Sequence, residues 1–176
     1  LRAEQEQAVS QTFDYFMSHE KGEFLWNAKP RFGKTLATYD LCKRLQSTKG
    51  DYACNILIVT NRPAIANSWY EDFVKFIGTE SGFRFVSEVS ALKGKPFVMS
   101  REEYTDSLTK ELADCIEFVS LQDLKGSLYF GGQHDKLKEL VNMQWELLVI
   151  DEAHEGVDTS KTDVAFHQIK RNHTVH

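Results

Sequence analysis

The sequence predicts an α/β domain built on a mainly parallel central sheet with helices on both faces. Short apolar runs, of which Leu147-Leu148-Val149-Ile150 is the clearest, have the unbroken character of strands buried on both sides. They alternate with longer stretches of helical spacing, the order of elements that a parallel sheet needs. Polar residues able to do chemistry then follow the runs, at the carboxyl ends where open α/β sheets bind their ligands.

Taken in chain order, a helix is expected from Ala3 to Ser18 and a short buried strand from Phe24 to Asn27. The triplet Gly33-Lys34-Thr35 separates that strand from a helix over Thr35 to Gln46. Asn55 to Thr60 reads as the next strand, followed by a helix over Ala64 to Ile77 whose Ile65, Trp69, Phe73 and Phe76 share one face at helical spacing and are assigned to the core. Strands at Phe83 to Val86 and Ile116 to Val119 flank a helix from Arg101 to Ala113. Gly126 to Gln133 reads as a loop, with paired glycines at Gly131 and Gly132. Helices over Asp135 to Asn142 and Asp163 to Arg171 enclose the strand Leu147 to Ile150, and a last strand is expected to start at Thr174.

Composition bounds the remaining possibilities. A chain of 176 residues is the size of one domain and can bury roughly 70% of its unfolded surface. With 41% hydrophobic and 27% charged residues it falls among ordinary globular chains, away from disordered or fibrous ones. The net charge of −5 gives no overall basic footprint, so any contact with nucleic acid must come from local groups. Cys42, Cys54 and Cys115 are too irregularly spaced for a zinc or redox motif and are expected in or near the core, as suits a reducing cytosol. No apolar run has the length of a membrane span and the amino end carries no hydrophobic signal core, so a cytoplasmic location is expected.

Two short segments carry the chemistry. Ala28 to Thr35, reading AKPRFGKT, lies between a strand and a helix, the setting of a phosphate-binding loop. Amides at a helix start point outward and the helix dipole favours negative charge there. In such a loop the segment Arg31-Phe32-Gly33 wraps phosphate, Lys34 reaches the β and γ phosphates, and the Thr35 hydroxyl ligates Mg²⁺. The second segment, Asp151 to His154, reads DEAH and follows a buried strand. Asp151 is suited to hold the metal and Glu152 to orient and deprotonate an attacking water. ATP and Mg²⁺ are the ligands these two segments imply.

With both segments in place, the whole chain resembles the first RecA-like P-loop motor domain of a superfamily-two, DEAD/DEAH-type helicase, most closely the group of type I and type III restriction-enzyme ATPases. The family's loop motif AxxGxGKT is met at Ala28, Gly33, Lys34 and Thr35, but Arg31 stands where glycine is usual. Leu1-Arg2-Ala3-Glu4-Gln5 resembles the family's LRxxQ element, which implies that Gln5 reads the adenine edge. Val59-Thr60-Asn61-Arg62-Pro63 resembles motif Ia, and Phe118 to Leu124 resembles motif Ib. The resemblance therefore implies nucleic-acid contacts at Thr60, Asn61, Arg62 and Ser120, with DNA favoured over RNA. It also implies that His154 couples the nucleotide site to the nucleic-acid site.

On this reading residues 1–176 are one motor domain, and the second motor domain, with its transition-state arginines, lies outside the chain. Leu1 in place of an initiating methionine fits a segment of a longer protein that hydrolyses ATP only weakly by itself. Two rival readings stay open. One is a P-loop NTPase that does not act on nucleic acid. The other is a catalytically silent nucleotide-binding or assembly domain, suggested by Arg31 and by the acidic charge.

Overall fold

The computed structural model describes residues 2–26, 33–50, 52–60, 65–107, 114–126, 138–151 and 166–176. The strands are β1 (Gly22–Phe24), β2 (Asn55–Thr60), β3 (Phe83–Ser87), β4 (Val98–Met99), β5 (Asp114–Ser120), β6 (Trp145–Asp151) and β7 (Arg171–Val175). They form one sheet of seven strands in the order β1-β7-β6-β2-β5-β3-β4, and every pairing is parallel. The helices are α1 (Ala3–Ser18), α2 (Lys34–Thr48), α3 (Ala66–Asp72), α4 (Arg101–Ser107), α5 (Leu121–Gly126) and α6 (Lys138–Asn142). This is the expected α/β class with a RecA-like arrangement.

The central strands are apolar on both sides because both sides are covered. On β2, Ile56 and Ile58 enter a core shared with Val9 of α1, Ala37 and Leu41 of α2 and Trp69 of α3. The alternate residues Leu57 and Val59 enter a second core with Leu121, Leu140 and Ile169. Each such fully buried aliphatic side chain contributes about 1.5–3 kcal/mol of transfer free energy, so the two cores hold β2, β5 and β6 firmly in register. That register fixes the carboxyl ends of those three strands side by side.

Several expected boundaries shift. The first strand is Gly22–Phe24 instead of Phe24 to Asn27, because pairing with β7 begins at Gly22↔His173. Beyond Phe24 the chain stays extended: Trp26 N–H donates to the His176 carbonyl at 3.0 Å, and its indole N–H donates to Thr12 Oγ1 at 2.7 Å. β7 starts at Arg171 instead of Thr174, which ends the helix expected to run to Arg171; Phe166 and His167 are helical and the chain then turns. The strand β4 was not expected; two residues are too few for alternation to show, and β4 exists through its pairing with β3.

The aromatic helix departs more instructively. After α3 the chain widens into a π-turn over Phe73–Ile77, closed by Gly78 N–H donating to the Phe73 carbonyl at 2.8 Å. Widening the turn rotates Ile77 onto the buried face, at 7% exposure, and carries Phe76 outward to 44%. Trp69 and Phe73 are core as expected, Ile65 packs partly against them, and Phe76 is not core. The helices expected over Arg101 to Ala113 and Asp135 to Asn142 are described as Arg101–Ser107 and Lys138–Asn142, the remainder lying outside the described residues. Gly126 closes α5, and the rest of the glycine-rich loop also lies outside them. Cys42, Cys54 and Cys115 are free and buried, and burial pushes the Cys54 and Cys115 thiols up to about 12. Among the described residues no helix is long and apolar enough to cross a membrane.

Candidate functional site

α2 starts at Lys34 because Gly33 turns the chain into it with φ 79° and ψ 49°, the left-handed region that glycine enters without strain. A Cβ on Gly33 would also run into Gln5 Nε2, so the Gln5 amide would have to move aside for a side chain here. Gln5 is buried at 2% exposure. Its Oε1 accepts the Arg2 N–H at 2.8 Å and its Nε2 donates to the Gly33 carbonyl at 3.2 Å. The residue expected to read a base and the loop expected to hold phosphate are therefore joined directly.

From the first turn of α2, Lys34 reaches across to the carboxyl end of β6. Its Nζ lies 3.1 Å from Asp151 Oδ1 and donates to the Ile150 carbonyl at 3.4 Å. Both side chains are largely shielded, at 21% and 13% exposure, which strengthens their attraction relative to a pair in bulk water. Thr35 is half-buried on the same turn, and the Lys34 carbonyl accepts the Thr38 hydroxyl at 2.7 Å. Lys34, Thr35 and Asp151 thus gather at one rim of the sheet, beside a helix amino terminus.

That rim extends sideways. Asp151 pairs in register with Thr60 of β2, and Thr60 pairs in register with Ser120 of β5, so the three residues form a row across adjacent strand ends. Thr60 and Ser120 are both buried here, and for Ser120 a helix cap is as good a sequence expectation as a phosphate contact, the two being compatible. They are exposed by only 0% and 1%, and Ser120 Oγ accepts the Asp123 N–H at 3.2 Å, capping α5. In this arrangement Ser120 holds a helix end instead of facing solvent. Arg31, Phe32, Asn61, Arg62, Glu152 and His154 lie outside the described residues.

A polar clamp for which the motifs gave no signal joins α2 to α1, about 15 Å along α2 from Lys34. Arg44 of α2 donates through Nη2 to Glu6 Oε1 at 2.5 Å, through Nη1 to Ser10 Oγ at 2.9 Å and through Nε to Asp40 Oδ2 at 2.9 Å. The hydrogen bond from Arg44 holds the Glu6 carboxyl below its ordinary value. The spacing of Asp40 and Arg44, one helical turn apart, is a signal the sequence does contain.

The model of the type III restriction enzyme res subunit family matches residues 1–175. The chain belongs to that family. Its domain is of the superfamily-two helicase type. A curated relative, described as the C-terminal part of a putative type II restriction enzyme and methyltransferase of Mycoplasma pneumoniae, is 25% identical over 97% of this chain and 22% of its own length. A solved structure similar in fold is a nuclease-deletion mutant of the Type ISP restriction-modification enzyme LlaGI in complex with a DNA substrate mimic. It gives a TM-score of 0.71 at 13% identity and covers 99% of this chain and 17% of that one. The res-subunit chain spans about a fifth of the length of these relatives.

Proposed function

We propose that this res-family chain is the ATP-binding motor domain of a nucleic-acid-dependent ATPase, the engine of a DNA translocase or helicase in a restriction-type enzyme. The observation that carries the reading is the ion pair between Lys34 and Asp151 at the carboxyl rim of the sheet. Each member is a natural partner for one half of a magnesium triphosphate. Lys34 exchanges its carboxylate for phosphate oxygens, and Asp151 exchanges its ammonium for the metal, so neither charge is left uncompensated in a shielded place.

The residues present fit that ligand: a glycine turn in the left-handed region, a helix amino terminus, one lysine, one hydroxyl and one carboxylate. Lys34, with the Arg31-Phe32-Gly33 segment, holds the phosphates; Thr35 and Asp151 hold Mg²⁺. Bound Mg²⁺ neutralises charge on the phosphate oxygens. Glu152 orients and deprotonates the attacking water, and Gln5 reads the adenine edge by exchanging its present partners, the Arg2 N–H and the Gly33 carbonyl, for the base. Asn61 and Arg62 follow Thr60 directly, so a nucleic-acid strand held there pulls on the strand end paired with Asp151. His154 takes part in that coupling, and a second RecA-like domain of the same polypeptide closes over the nucleotide. DNA is favoured as the partner because the LlaGI structure contains a DNA substrate mimic and because the relatives are restriction enzymes.

Lys34→Ala is expected to abolish ATP binding, whereas Glu152→Gln is expected to bind ATP and fail to turn it over. Equilibrium ATP titration and a DNA-stimulated phosphate-release assay on the full-length protein separate the two. Normal turnover in either variant rejects the assigned roles, and turnover indifferent to DNA favours an NTPase that does not act on nucleic acid.

A further inference from the structure

We infer that Arg44 is a positioning residue for base selection: it sets α1 against α2 and thereby holds Gln5 at the nucleotide site. The inference rests on the proposed reading of Gln5 and extends it to a residue that touches no nucleotide. The carboxyl half of α1 is tied to the sheet, through Thr12 accepting the Trp26 indole N–H and through Phe16 stacked on His173 at 4.3 Å. The amino half, which carries Gln5, leans on α2. There Arg44 cross-links the helices, gripping Glu6 and Ser10 of α1 while anchored to Asp40 on its own helix. Glu6 is the immediate neighbour of Gln5, and Gln5 Nε2 lies 3.2 Å from the carbonyl of the residue that opens α2.

The chemistry makes this placement matter for the base more than for the phosphates. Lys34 and Thr35 belong to α2 itself, so they depend on the placement of α1 less directly than Gln5 does. Gln5 belongs to α1, and paired hydrogen bonds to an adenine edge tolerate little displacement. Guanine offers a carbonyl where adenine has an amino group, so the pairing that selects ATP is lost with GTP. Moving Gln5 therefore weakens ATP and leaves GTP nearly unchanged. A partly exposed ion-pair network adds little to global stability, so its loss should be read in selectivity before it is read in unfolding.

The test is an equilibrium titration of the protein with Mg²⁺-ATP and Mg²⁺-GTP, for Arg44→Ala, Arg44→Lys and Gln5→Ala, with Glu6→Gln as the variant to use if Arg44→Ala does not fold. Arg44→Ala, like Gln5→Ala, is expected to weaken ATP by about tenfold with little change for GTP, and Arg44→Lys to recover part of the loss. Equal weakening of both nucleotides, or no change in either, overturns the inference. If Gln5→Ala alters the ATP to GTP ratio and Arg44→Ala does not, the clamp fails and the reading of Gln5 stands. If Gln5→Ala leaves the ratio unchanged, the adenine reading fails and the clamp with it.

Discussion

Gly33 shows how one residue serves both fold and site. It must adopt a positive φ to start α2, and the space above its Cα is taken by the Gln5 amide. Gly33→Ala should therefore destabilise the protein by about 1–3 kcal/mol, from left-handed strain and from the displaced amide. Urea unfolding measures this, and a change below about 0.5 kcal/mol would show that neither constraint operates. Lys34 and Asp151 have a different standing. Each was legible as chemistry from the sequence, Lys34 from the triplet it shares with Gly33 and Thr35, Asp151 from the apolar run it follows. Their approach to 3.1 Å was not, since nothing local relates residues so far apart. Thr60 and Ser120 mark the converse case: they were legible as polar residues at strand ends, but their burial, and the cap that Ser120 makes on α5, belong to the folded chain.

Among the elements, the π-turn of Phe73–Ile77 gives a sharp test of register. Ile77→Ala should cost about 2–4 kcal/mol because it opens a cavity in the core, whereas Phe76→Ala should cost less than about 1 kcal/mol despite removing the larger side chain. Thermal unfolding of the two variants checks this, and the reverse order would restore the regular α-helix that periodicity predicts. The long elements were the most legible. α1 runs from Ala3 to Ser18 as expected, because its amphipathic pattern and length decide it locally. β1, β4 and β7 were poorly placed because a strand of two to five residues at or near a sheet edge owes its limits to its neighbour's hydrogen bonds. Glu117 makes the same point inside a strand. A charge in the middle of β5 reads as a flaw in the apolar pattern, until Arg101 at the start of α4 is seen to pair with it.

For the whole molecule, closure of the sheet creates an acid sensitivity. His173 of β7 is 5% exposed, stacks on Phe16 and accepts the Gly22 N–H through Nδ1 at 3.2 Å, so it is held neutral. Burial lowers its pKa below 6.5, and Glu146, 3.8 Å from Nε2, offsets only part of that. In the unfolded chain the imidazole gains its proton as pH falls through about 6.5, while in the folded chain it resists. Stability contributed by the neutral ring is therefore present above that pH and is lost as pH drops toward the folded value. The melting temperature should fall as pH drops below about 6.5, and His173→Asn should flatten that slope while lowering stability at pH 7. An unchanged slope in the variant would assign the acid response to other groups.

Composition, hydrophobic period and two short motifs were sufficient to specify an α/β domain, its central strands and the residue types of the proposed nucleotide site, because each is written in neighbouring residues. Strand order, edge-strand limits, the widened turn at Phe73, the junction of Gln5 with Gly33 and the Arg44 clamp arose only on folding. They are contacts between segments distant along the chain, and the free energy that selects them comes from packing and hydrogen bonds that no local stretch contains.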